Sequence, residues 1–125
     1  MGRNRTFDED DVVAQSAAVF LRQGYEGTSI DDLLAATGLH RGSLYKAFAS
    51  KRGLFLAALR RTSADAATGR DDAAIDLLLV ALLELAPRDP EVRALCASAL
   101  AHLTHAEAVA LVGQRLLTRA HLSDQ

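Results

Sequence analysis

The chain has no tryptophan, one cysteine, two prolines and aromatic side chains at only 5% of its 125 positions. The lone Cys96 excludes an internal disulfide and suits a reducing, cytoplasmic compartment. Both prolines, Pro87 and Pro90, fall in one short stretch, so proline interrupts the chain at a single place. Runs of β-branched residues are missing while alanine and leucine dominate, which predicts an all-α fold. The N-terminus runs straight into charged residues, and no apolar run is long enough to span a bilayer, so neither a signal peptide nor a membrane contact is expected. There is no glycine-rich phosphate loop and no nucleophile with a base in register. Catalysis, a metal and a cofactor are therefore not expected.

What the chain does have is apolar surface. Half of the residues are hydrophobic, enough for a core at this length. The size fits one domain, or a small head and a small body on a shared helical scaffold. The net charge of −2 would not suggest nucleic acid if read as an average. Its distribution does: through Thr62 there are nine Lys and Arg against seven Asp and Glu, a net of +2, and beyond it five against nine, a net of −4. That asymmetry favours a nucleic-acid head and a non-binding body.

The head is organised around Thr28 to Lys51, TSIDDLLAATGLHRGSLYKAFASK. Thr28 with Asp31 reads as a helix start, and Ile30, Leu33 and Leu34 recur at one-face spacing. Gly38 sits where the chain must reverse, a position that needs the left-handed conformation. A second helix from about His40 to Phe48 turns Leu44 and Phe48 inward and leaves Arg41, Gly42, Ser43 and Lys46 outward. This is the outline of a helix-turn-helix. A helix entering the DNA major groove needs slim residues for close approach and a few long donors for base edges, and Arg41, Gly42 and Ser43 supply both. Tyr45, Lys46 and Lys51 supply phosphate contacts, which position without reading sequence. The spacing alone fits a plain helical hairpin with a solvated basic edge equally well.

The flanks read as supports. A basic arm carrying Arg3 and Arg5 either lies along the minor groove or is a solvated tail. A first helix begins near Asp8, with Asp8 and Asp11 as a cap pair, Val12, Ser16, Val19 and Phe20 as its inner stripe and Gly24 as its stop. Ser50 caps a further helix opening on Lys51, whose N-terminus suits a phosphate; Leu54, Phe55, Ala58 and Leu59 pack inward, and the helix runs to Thr68 before Gly69.

From about Arg5 to Leu59, through VVAQSAAVFLRQGYEGTS and IDDLLAATGLHRGSLYKAFASKRGLF, the chain resembles the DNA-binding domain of the TetR family of bacterial transcriptional regulators. Phe20, Gly24, Tyr25, Thr28, Gly38, Gly42, Leu44, Tyr45, Phe48, Lys51 and Leu54 are in register with it. The resemblance implies a three-helix helix-turn-helix head over residues 1–50, joined by a connecting helix over 51–68 to a helical body over 70–125. It implies that Thr28, Arg41, Ser43, Tyr45, Lys46 and Lys51 face double-stranded DNA, and that a shift at the far end of the connecting helix tilts the reader. His40 departs from the family, which usually has Ser or Thr there. Histidine is the poorer N-cap, so the reading helix starts less firmly or His40 touches a phosphate itself.

In the body, Asp71 or Asp72 caps a helix from Ala73 to Ala86 that is apolar nearly all round and is expected to be buried on most sides. Glu84 within it faces an effector pocket, or it lies at a solvated edge or pairs with Arg88. Pro87 to Pro90 forms a turn, with Asp89 as N-cap and Pro90 at the first helical position. Val92, Leu95, Cys96, Ala99, Leu100 and Leu103 form a stripe. Thr104 and Glu107 can cap a new helix, but with no glycine or proline at the junction one long helix to Leu122 is expected. His102 and His105 read as solvated histidines, since a pair without a third strong ligand makes a poor metal site, and Cys96 reads as core. The stretches LLLVALLELAPRDPEVRALC and VGQRLLTRA resemble the ligand-binding half of one TetR subgroup, in which two further long helices form the dimer. The body therefore reads as abbreviated, and a homodimer would have to pair the Ala73–Ala86 helix and the last helix between copies.

Two functions follow. One is a repressor that binds a palindromic operator as a homodimer and is released by a small-molecule effector. The other is a helical assembly module that pairs with another regulator and has no effector response of its own.

Overall fold

The computed structural model describes residues 7–68 and 71–122, apart from the side chains of 63–68. The elements are α1 (Glu9–Gln23), α2 (Ile30–Thr37), α3 (Arg41–Phe48), α4 (Lys51–Thr68), α5 (Asp72–Val80) continued by a π-helical turn (Ala81–Leu85), α6 (Pro90–Leu100) and α7 (His105–Arg119). Among the described residues there is no strand, as the composition predicts. Among the described residues no single helix is long and apolar enough to cross a membrane. The chain divides into two compact units, Met1–Ala58 and Leu59–Gln125, with the boundary inside α4.

The first unit is built on the expected stripes. Asp8 caps α1 through the Asp10 amide, and Val12, Ser16, Val19 and Phe20 are buried along one face. Gly24 ends α1 at φ 78°, a value that side chains rarely adopt. Phe20 meets the Phe55 ring edge-on at 5.0 Å, and Tyr25 meets it at 5.2 Å, which ties the end of α1 to α4. Leu33 of α2, Leu44 of α3 and Leu54 and Phe55 of α4 are fully buried. Each such side chain contributes about 1.5–3 kcal/mol when removed from water.

The start of α2 differs from the sequence reading by one residue. Ser29, not Thr28, is the N-cap, and its partner is Asp32, not Asp31: the Ser29 hydroxyl accepts from the Asp32 amide at 3.0 Å and the Asp32 carboxylate accepts from the Ser29 amide at 3.0 Å. The reason is burial. Thr28 is 1% exposed, and its hydroxyl donates to the Gly24 carbonyl at 2.6 Å, so it is spent holding the α1–α2 turn. Gly38 closes α2 in the left-handed region, at φ 75° and ψ 6°, as expected.

The second unit departs from expectation at two places. The Ala73–Ala86 stretch is not one uniform α-helix: after Val80 the ladder widens, and the Ala86 amide donates to the carbonyl of Ala81, five residues back, at 2.8 Å. The extra residue in that turn rotates the following side chains. Leu85 is buried, but Leu83 is turned out to 76% exposure. The stretch is otherwise covered on most sides, as expected: Ala74 to Leu79, Ala81, Leu85 and Ala86 are all buried. The last stretch is also not one helix. Thr104 starts α7 with a reciprocal capping box to Glu107, at 3.1 and 2.9 Å, and α6 and α7 meet at 104°. Neither glycine nor proline is needed for this break, because the cap satisfies the amides that the interruption frees. The Asp89 and Pro90 start of α6 is as read from the sequence, and Cys96 lies in its buried stripe. Burial pushes the Cys96 thiol up to about 11, which suits a core residue.

Candidate nucleic-acid interface

The outward face of α3 follows from its inward one. With Leu44 fully buried, helical geometry turns Arg41, Gly42, Tyr45 and Lys46 to solvent, and Ser43 lies half-buried at the edge. His40 is the N-cap at φ −77° and ψ 151°, and no side-chain hydrogen bond closes the cap. The weak start expected of histidine is therefore observed, and the imidazole stands exposed beside the first turn. The N-terminal end of α3 is left with unpaired amides, a feature that favours an approaching anion.

Two glycines separate what the fold needs from what it does not. A Cβ on Gly53 would fall 1.8 Å from the Phe48 carbonyl oxygen, so Gly53 is required where α4 passes the end of α3. A Cβ on Gly42 would meet nothing within 4 Å. The protein's own packing does not require a glycine there.

Lys51 occupies a more inward place than a phosphate contact alone requires. Its Nζ donates to the carbonyls of Tyr25 and Thr28, each at 3.1 Å, and lies 4.2 Å from the centre of the Tyr25 ring. The lysine thereby clamps the turn between α1 and α2 to the start of α4. Ser50 caps α4 as expected, its hydroxyl accepting from the Gly53 amide at 2.9 Å. Thr28 is turned inward and supplies one of the two carbonyls that hold Lys51.

Arg41 is held across the turn between α2 and α3. Its Nη2 donates to the Asp31 carboxylate of α2, and the Tyr45 hydroxyl, followed by Asp31, raises the guanidinium above its ordinary pKa. Asp32 is displaced the other way, below the ordinary aspartate value, by hydrogen bonds from the Ser29 backbone, Gln23 and the Ser29 side chain. The sequence reading did not single out Asp31 as a partner of Arg41. Opposite charges on the two helices of a tight hairpin were the available signal.

Other expected residues are dispersed. Arg3 and Arg5 lie outside the described residues. Glu84 sits partly exposed in the π-helical turn. His102 falls in the turn before α7, so His102 and His105 do not share a helix. The second feature missed from the sequence is Asp76, which is 7% exposed in α5. Arg115 donates to both of its oxygens, at 2.7 and 3.0 Å, and Arg119 reaches it at 2.7 Å. Burial would raise the Asp76 pKa, but the hydrogen bonds and charges of Arg115 and Arg119 outweigh it and hold the carboxylate below its ordinary value. The clue was an acid inside an apolar helix matched by two arginines one turn apart on another.

The family match to known proteins falls on this first unit. The family described as "Bacterial regulatory proteins, tetR family" matches residues 12–58. The chain is similar to the HTH-type transcriptional regulator YezE of Bacillus subtilis (strain 168), with 48% identity over 60 residues, covering 48% of this chain and 31% of the relative. It is also similar to the HTH-type transcriptional repressor ComR of Escherichia coli (strain K12), with 43% identity over 60 residues, covering 48% of this chain and 29% of the relative. The matched stretch thus spans less than a third of either relative. No solved structure matches the chain significantly.

Proposed function

We propose that this chain, whose residues 12–58 match the helix-turn-helix domain of the TetR family, is a transcriptional repressor that binds a palindromic operator as a homodimer. The observation that carries this reading is the exposed first turn of α3, where Gly42 has open space around it and Arg41 stands beside it. Arg41, Gly42 and Ser43 meet base edges, while His40, Tyr45 and Lys46 meet phosphates. Lys51 has one ammonium hydrogen beyond the two donated to carbonyls, and it offers that hydrogen to a phosphate at the start of α4. Thr28 acts through Lys51, and the arm with Arg3 and Arg5 lies along the adjacent minor groove.

Two copies are needed because one half-site offers few base contacts, and dimers read half-sites separated by about 34 Å or its multiples. The apolar side of α7 supports pairing between copies: Val109, Leu116 and Leu117 are each more than half exposed. Glu84, a polar side chain among apolar ones, is the proposed contact for a small-molecule effector that releases DNA.

Sites selected from random DNA, with affinity measured across salt and the mass of the complex determined alongside, test the reading. A palindromic site bound by two copies is expected, with log K falling by about 0.9 per phosphate neutralised for each unit of log salt. A protein that stays monomeric and does not distinguish the selected site from random DNA would overturn it. The same exposed side of α7 favours the second reading, an assembly module that pairs with another regulator, and that outcome is what it predicts.

A further inference from the structure

Asp31 has the wrong sign of charge for a surface that meets phosphates, and its side chain is 80% exposed. The helix does not need it as a cap, because Ser29 and Asp32 close the capping box. Its contact is with Arg41, whose Nη2 donates to it across the turn between α2 and α3. Arg41 is itself 52% exposed, so the pair forms in solvent and adds little to the stability of the fold.

An arginine on an exposed helical turn has many rotamers, and a nearby phosphate competes with a base for its donors. A carboxylate bound to one edge of the guanidinium removes both problems. It fixes the plane of the fork and leaves the other edge presenting parallel N–H donors, the arrangement that matches the O6 and N7 acceptors of guanine. Its charge also repels the phosphates that would capture the arginine. We infer that Asp31 is a positioning residue for sequence readout, anchoring Arg41 so that its outer edge meets a guanine in the major groove. Asp31 thereby exchanges general affinity for discrimination. The inference rests on the operator-binding reading above.

The test measures affinity for the selected operator, each of its single-base variants and random DNA, using the wild-type chain, Arg41→Ala, Asp31→Ala, Asp31→Glu and the double alanine variant. Arg41→Ala is expected to lose discrimination, by a factor of about 5 to 100, at one base pair in each half-site. Asp31→Ala is expected to lower discrimination at that same base pair by roughly threefold to tenfold, to raise affinity for random DNA, and to leave the thermal midpoint unchanged. Asp31→Glu restores part of the discrimination. With Arg41 already removed, Asp31→Ala no longer changes the pattern. Full discrimination by Asp31→Ala at the base pair that Arg41→Ala loses overturns the inference and leaves operator binding standing. Unchanged discrimination by Arg41→Ala overturns it as well, since other residues then do the reading. A wild-type chain with no base preference removes both this inference and the reading it rests on.

Discussion

At Gly42 stability and binding pull in opposite directions. The residue lies in the first turn of α3 with open space around it, so an alanine fits and removes the entropy that glycine loses on entering a helix. Gly42→Ala is expected to stabilise the fold by about 0.4–1 kcal/mol in chemical denaturation while weakening DNA binding at least several-fold, because the added methyl stands between the backbone and the base edges. Lys51 gives the opposite pattern. Losing its two carbonyl contacts and the Tyr25 ring contact is expected to cost about 1–2 kcal/mol and to weaken operator and random DNA alike. A Lys51→Ala variant that binds less tightly with undiminished stability would show that the lysine works only on phosphate.

Among the elements, the contact between α5 and α7 includes one buried carboxylate, Asp76. Removing a partner from a buried pair is costly because the other charge is left behind. Asp76 has two arginines, and with both partly in solvent the expected loss for Arg115→Ala is about 2 kcal/mol. The pH dependence follows from the depressed Asp76 pKa. A carboxylate held below its ordinary value of 3.8 binds protons less readily folded than unfolded. Its contribution is therefore complete above that value and is lost as pH falls through the folded pKa. Unfolding midpoints followed downward from neutral pH should show the wild type converging on Asp76→Asn below about pH 4, and parallel curves would remove Asp76 as the cause.

For the whole molecule the decisive surface is the exposed apolar side of α7. Its amphipathic pattern is clear, yet none of its residues is fully buried. If copies pair through it, Leu116→Glu with Leu117→Glu leaves the helical circular dichroism intact, lowers the mass seen in light scattering, and weakens operator binding by at least about tenfold through loss of the second half-site. Dimers that persist in this variant would move the interface elsewhere.

Much of the head could be read from residues alone. Gly38 and the buried Leu33, Leu44 and Phe55 are dictated by spacing and by the scarcity of side chains that tolerate a positive φ. The one-residue error at Thr28 and Ser29 arose because both can cap, and only burial decides which hydroxyl is free to do so. The break at Thr104 carries no glycine or proline to mark it, and a capping box needs none. The π-helical turn after Val80 had no sequence mark of its own.

The sequence by itself determined the all-helical class, the helix-turn-helix order and the residues facing out from α3, because each follows from local periodicity and caps. Only the tertiary structure decided that Lys51 is tethered, that Asp31 meets Arg41 and that Asp76 meets Arg115. These pairs join residues that are distant in sequence, and periodicity along one helix carries no information about which charge on another helix will come within reach.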